Sequence, residues 1–196
     1  ANGASAGRNL GSHMLSLLVH FFGPVASVAS DMSLALKEWP LAGEIIRPEV
    51  PDRASMLLRH ASGLPTRLEA NWSKIGGDGF RFSVWGSKGR LEARAPVFPM
   101  AHDTILSGTR DPALGTAKME PVEIEAEYLH ISGCHAIHDR PETGLLALAS
   151  IFAAMRDAIN GIGQAAPDFA QAYHVHAIVE AATQAASERR WIDLAV

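Results

Sequence analysis

Cysteine is nearly missing: Cys134 is the single one in 196 residues. A lone thiol closes no intrachain disulfide, which excludes a small secreted fold stapled by disulfides and fits a reducing compartment. Long hydrophobic runs are missing too. The longest, residues 15–22, is interrupted by Ser16 and His20 and falls far short of the roughly 20 apolar residues of a membrane-spanning helix. A cytoplasmic protein with no membrane partner is therefore expected. Basic charge is not in excess, with 17 Lys and Arg against 21 Asp and Glu, and Arg189 and Arg190 form the only adjacent basic pair. A net charge of -4 creates no field that gathers polyanions, so nucleic acid is not expected as a partner. Nor does the chain contain a Gly-x-Ser-x-Gly elbow, a His-Glu-x-x-His helix or a phosphate-binding loop. A serine hydrolase, a zinc protease or a nucleotide triphosphatase of the usual kinds is thereby excluded.

What is present suits one globular domain over residues 1–196: 47% hydrophobic and 19% charged residues, enough to bury a core. Leu10, Met14, Leu17, Leu18 and Phe21 fall on one helical face, and Gly23-Pro24 stops the helix. Period-two patterns follow. Val28, Met32, Leu34 and Leu36 share a face, as do Ala54, Met56 and Leu58, then Leu68, Ala70 and Trp72, then Phe80, Phe82 and Val84, with Leu91 and Ala93 after the turn Gly86-Ser87-Lys88-Gly89. Residues 96–119 show no period, and a last strand is expected within residues 121–126. Two helices then close the chain. The first carries Leu145, Leu148, Ala149, Phe152, Met155 and Ile159; the second starts near Pro167 with Ala172, Val175, Val179, Ala182 and Ala186, and residues 191–194 return to the sheet. This order predicts an α+β two-layer domain, a largely antiparallel open sheet covered by helices on one face. The other face, where Trp85 lies opposite Phe80 and Phe82, is expected to pair with a second copy.

Asn9, His13 and Ser16 stand at i, i+4 and i+7 of the first helix, one face presented to one pocket. Imidazole titrates near neutral pH, so His13 suits a base that accepts or relays a hydroxyl proton. The competing reading makes it a packing or capping residue. His130, Cys134, His135 and His138, beside Asp139, form a second cluster in a loop. Its spacing lacks the paired ligands of a structural zinc site, and a polar loop lining a substrate pocket, with His130 and His135 toward the substrate, is the preferred reading. Near the chain's end, Tyr173, His176 and Glu180 share a helical face, and His176 is read as a hydrogen-bonded structural residue. Asn71, Ser73 and Lys74 end a strand before Gly76-Gly77-Asp78-Gly79 and are read as solvated.

Several ordered phrases resemble the C-terminal domain of the glucose-fructose oxidoreductase, inositol dehydrogenase and rhizopine-catabolism (Gfo/Idh/MocA) family. They are Gly7-Arg8-Asn9-Leu10-Gly11-Ser12-His13-Met14-Leu15, Gly23-Pro24-Val25-Ala26-Ser27-Val28, Leu58-Arg59-His60-Ala61-Ser62-Gly63, Trp85-Gly86-Ser87-Lys88-Gly89-Arg90-Leu91, and Pro167-Asp168-Phe169 through to Arg190-Trp191-Ile192-Asp193-Leu194. The branch most similar, by Asn2-Gly3-Ala4 and the Gly-x-x-His helix, contains galactose-regulon repressors as well as dehydrogenases. The resemblance implies an oxidoreductase of sugars or polyols whose NAD or NADP is held by an N-terminal Rossmann domain that is absent here, with this half supplying sheet contacts between subunits and much of the substrate pocket. Ala1-Asn2-Gly3, without Met, is read as an internal start. By the resemblance, His13 takes the position of the family's histidine and hydrogen-bonds or deprotonates the substrate hydroxyl.

Two departures weaken a proton relay. Many members carry Asp where this chain has Asn9 and Ser16, and neither an amide nor a hydroxyl stabilises an imidazolium as a carboxylate does. A non-catalytic sugar sensor on the same fold is accordingly the alternative. No cofactor is expected on this chain alone. Gly161-Ile162-Gly163-Gln164-Ala165-Ala166 spells a dinucleotide fingerprint, yet it follows a helical pattern where the fingerprint needs a strand.

Overall fold

A computed structural model describes residues 5–74, 76–100, 102–111, 113, 115, 117–129, 131, 144–165 and 167–195. In chain order the elements are helix α1 (Leu10–Phe22), strands β1 (Val25–Ser33), β2 (Trp39–Leu41), β3 (Glu44–Ile46), β4 (Arg53–His60), β5 (Pro65–Asn71), β6 (Phe80–Gly86), β7 (Gly89–Ala95), β8 (Ile105–Thr109) and β9 (Glu120–Val122), helices α2 (Leu145–Ile159) and α3 (Phe169–Glu188), and strand β10 (Ile192–Asp193). A 3-10 turn spans Ala126–Leu129. The content is α+β, and among the described residues every strand pairing is antiparallel. The chain divides into two compact units, Ala1–Ile75 with Pro167–Val196, and Gly76–Ala166.

The first unit is a four-stranded sheet, order β10-β1-β4-β5, packed on one face by α1 and α3. Strand β4 shows how the sequence dictates this. Ala54, Met56, Leu58 and His60 are buried while Arg53, Ser55, Leu57 and Arg59 are exposed, the period-two split of a sheet with one dry face. In register, Val28 opposes Leu58 and Met56 opposes Leu68, and α3 lowers Val175, Ile178, Val179, Ala182 and Ala185 onto this layer. Leu15 and Leu18 do the same from α1. Each such side chain contributes roughly 1.5–3 kcal/mol on burial. Two glycines let the start of α1 approach closely: a Cβ on Gly7 would lie 3.1 Å from the Ala54 Cβ, and one on Gly11 3.7 Å from the Met56 Cε. Between β1 and β4 lies an exposed hairpin, β2–β3, turned by Ala42 (φ 50°) and Gly43 (φ 86°), both left-handed as a two-residue I′ turn requires.

The second unit is an antiparallel meander, order β6-β7-β8-β9. Phe80, Phe82, Val84, Leu91 and Ala93 lie on one face, and Arg81, Ser83, Trp85, Arg90, Glu92 and Arg94 on the other. Helix α2 also belongs to this unit, and on its apolar stripe Leu148, Ile151, Phe152, Met155 and Ile159 are all more than half exposed. In the first unit, α1 and α3 cover the sheet. Several elements differ from the sequence reading. Strand β1 ends at Ser33, before Leu34 and Leu36; β5 ends before Trp72; β9 covers Glu120–Val122 where residues 121–126 were expected, with Ala126 starting a 3-10 turn; and β2, β3 and β8 form where no strand was expected.

Candidate functional site

Helix α1 carries the candidate stripe. Its start is built by backbone bonds from Asn9 N–H to the Ser5 carbonyl (2.9 Å) and from Gly11 N–H to the Ala6 carbonyl (3.0 Å), while Ala6 N–H ties the turn to the Pro51 carbonyl (3.0 Å). Asn9 occupies the N-cap without a side-chain capping bond, so its amide is not consumed in holding the helix. With Gly11, Leu15 and Leu18 turned to the sheet, the opposite side presents Asn9 and His13, both exposed, and Ser16, half-buried. Ser16 is engaged by the other helix: Gln171 Nε2 donates to its carbonyl at 3.2 Å and to its Oγ at 3.3 Å. This hydroxyl thus locks α1 to α3 at the same point where it borders the stripe. One turn further, exposed His20 continues the same row, its ring edge-on to Phe21 at 5.5 Å. The 3.6-residue period that selected Asn9, His13 and Ser16 would have included it.

His130 and His135, with Cys134, His138 and Asp139, lie outside the described residues, and no group of His, Cys, Asp and Glu able to hold a metal occurs among the described ones. At the end of β5, Asn71 Oδ1 accepts from Ser73 N–H (2.9 Å) and Ser73 Oγ (2.8 Å), a local turn. On α3, His176 is exposed, and the structural histidine is His174: its Nε2 accepts from Val25 N–H at 3.0 Å. Burial pushes the His174 pKa below 6.5, helped by the nearby His60 ring. His60 is buried, with Nδ1 2.8 Å from the Gly23 carbonyl and Nε2 3.1 Å from Thr66 Oγ1. Neither histidine stands out in the sequence, because what pairs them with their partners is the packing of α3 on the sheet.

In the second unit, Glu92 is a buried carboxylate on which three guanidinium groups converge. Arg90 reaches Oε2 at 2.6 Å, Arg81 at 3.1 Å, Ser83 Oγ also at 3.1 Å, and Arg94 binds Oε1. Burial alone would raise its pKa; the hydrogen bonds from Arg94, Arg81 and Ser83 outweigh that and hold it at about 2 instead of 4.5. The Arg90 guanidinium sits over the Trp85 ring, its carbon 5.0 Å from the ring centre.

Among the described residues, the glycine-rich segment 161–165 does not fit a dinucleotide. Residues 161–165 follow the end of α2, with Gly161 and Gly163 in left-handed turns (φ 77° and 69°) and no strand aiming them. The next helix is capped by the Asp168 carboxylate, which accepts from Gln171 N–H at 2.8 Å, so its N-terminus already faces a negative charge. On the first unit, a groove of about 650 Å3 runs along α3, lined by Tyr173, Glu180, Thr183, Gln184 and Asp193 among others. Asn9, His13 and Ser16 are not part of it. Their stripe is an open wall, and its chemistry singles it out over the groove.

Residues 1–92 match the model of the GFO/IDH/MocA C-terminal domain. No curated protein sequence matches the chain. Among solved structures, an NAD binding oxidoreductase from Klebsiella pneumoniae superposes with a TM-score of 0.74 at 17% identity, over 97% of this chain and 50% of that one. Levoglucosan dehydrogenase in complex with NADH and L-sorbose gives 0.71 at 20% identity, over 95% and 49%. An oxidoreductase from Agrobacterium radiobacter, in complex with NAD+, L-tartaric acid and magnesium, gives 0.64 at 18%, over 95% and 48%. At these identities the likeness is one of fold. The chain spans about half the length of the structures it matches. No helix among the described residues is long and apolar enough to cross a membrane.

Proposed function

We propose that this chain is the Gfo/Idh/MocA-type C-terminal domain of an NAD(P)-dependent oxidoreductase acting on a sugar or polyol, in the branch that resembles galactose-regulon repressors. The observation that carries the proposal is the row Asn9, His13, Ser16, its first two members exposed and Ser16 half-buried, on a helix whose other side is buried. In this reading the helix is one wall of the substrate pocket. His13 accepts, or hydrogen-bonds, the proton of the substrate hydroxyl, Asn9 orients the ring or a neighbouring hydroxyl, and the Ser16 hydroxyl lines the wall beside Gln171. His130 and His135 contribute from their loop. The dinucleotide is held by a separate domain of a longer cytoplasmic protein, and the open sheet faces join copies of the chain.

The second reading, a sugar-sensing protein without catalysis, is favoured by Asn9 and Ser16 standing where an imidazolium would call for carboxylates, and by Ser16 being engaged with Gln171. The test is a titration of the intact gene product with NADPH and with a panel of polyols. Cofactor binding with turnover supports the oxidoreductase, polyol binding without turnover supports the sensor, and absence of any cofactor binding overturns the first reading.

A further inference from the structure

A side chain seals the hinge between α1 and the sheet. The helix ends at Gly23, in a left-handed conformation (φ 80°), and Pro24 leads straight into β1. At this corner the ladder is irregular, with a bulge between Val25 and Ser27, and Val25 N–H donates to His174 Nε2 on α3 instead. Directly beneath, His60 reaches up from β4 to the Gly23 carbonyl, with the Phe22 ring edge-on to it at 5.8 Å. The two imidazoles thus hold the last residue before the turn and the first residue after it.

The partners decide the proton positions. The Gly23 carbonyl only accepts, so His60 Nδ1 carries a proton, and its Nε2 faces a hydroxyl that can donate or accept. Each ring nitrogen of His60 thus has a partner suited to it. His174 is more constrained. Its Nε2 faces an amide N–H, which only donates, so that nitrogen must be unprotonated. A proton there would set two donors against each other, leave a fully buried residue's amide without an acceptor and place a positive charge near a second imidazole. Among the described residues no carboxylate pairs with its ring, and its one charged influence is His60. One turn either side of His174 stand Ala170, Gln171, Ala177 and Ile178; on α1, His20 is exposed and edge-on to Phe21; on the sheet, Thr66 is bonded to His60; and Arg59 of β4 points to the opposite sheet face, over Trp191.

We propose that the bond from Val25 to His174 is an acid-released latch: intact at neutral pH it pins the α1–β1 hinge to α3, and protonation of His174 frees the hinge and loosens α1. This stands whether or not α1 is a substrate wall. The test is amide exchange of Val25 in the complete chain between pH 7.5 and 5, expressed relative to Met56 in mid-β4 so that the intrinsic pH dependence of exchange cancels. The expected result is a loss of relative Val25 protection of roughly fivefold or more on acidification. It should vanish in His174→Gln, whose amide oxygen accepts from Val25 without titrating. Relative protection that does not change with pH, or that changes equally in the Gln variant, overturns the latch. Should that variant not fold, the wild-type imidazole shifts of His174 decide. A Val25 amide shift titrating together with them supports the latch, and a Val25 shift that stays constant through the His174 titration overturns it.

Discussion

Replacing Glu92 by Gln keeps the volume of a side chain that is 4% exposed and removes the charge on which Arg81, Arg90 and Arg94 converge. Arg81 and Arg94 are directly opposed across β6 and β7, an unfavourable pairing of like charges that the carboxylate offsets. A pKa held at about 2 instead of 4.5 corresponds to at most about 3 kcal/mol. Arg81 and Arg94 are 47% and 58% exposed, so solvent screening reduces this to roughly 1–2 kcal/mol. The sign follows from the depressed pKa: the contribution is complete above pH 4.5, shrinks as acid protonates the unfolded chain first, and is gone below about 2. Urea unfolding followed by Trp85, the only tryptophan between residues 76 and 166, reads the second unit, with a Trp85→Phe chain supplying the background. The Glu92→Gln chain is expected to unfold at lower urea at pH 7, with the difference falling below half by pH 3 and narrowing in 1 M salt. Equal midpoints at pH 7, or a difference independent of pH, would refute the electrostatic reading.

Two further changes probe the first unit. Asp52 is buried and accepts from Ala35 N–H at 2.8 Å and Leu36 N–H at 2.9 Å; Asp52→Ala orphans both donors and is expected to cost about 2–3 kcal/mol in chemical denaturation, where a loss under about 0.5 kcal/mol would show that water replaces the carboxylate. Met56 is fully buried between α1 and the sheet, so Met56→Ala is expected to cost about 2–5 kcal/mol in the same assay, and a neutral outcome would mean that this layer is not the core.

Much of this was legible in the chain because local pattern and tertiary placement agree. Leu10–Phe22 is a helix as its period indicated, although the face it buries is Gly11, Leu15 and Leu18, with Leu10, Met14 and Leu17 half-buried and Phe21 exposed, and β4 alternates residue by residue. Where the sequence reading failed, partners outside the segment decide. Strand β8 contains Gly108, whose Cβ would come within 3.1 Å of Leu91 and 3.3 Å of the Arg90 carbonyl, so a residue that reads as a loop is the one β7 admits. Hairpin β2–β3 is three residues a side with a proline in it, too short for a period to register. The α2 stripe was readable as amphipathic, but amphipathicity does not say what covers it. The candidate site divides similarly: Asn9, His13 and Ser16 follow from helical spacing, while the roles of Gln171, His174 and His60 depend on strands and helices far apart in sequence.

The central claim is that α1 presents a catalytic wall with His13 at its working point. The measurement that bears on it most directly is polyol-dependent reduction of NAD(P)+ by the intact gene product, comparing the natural chain with His13→Ala. The account predicts a fall in kcat of about a hundredfold or more with cofactor affinity unchanged, since in the proposed function a separate domain holds the dinucleotide. Turnover preserved within a few-fold in the variant would contradict it.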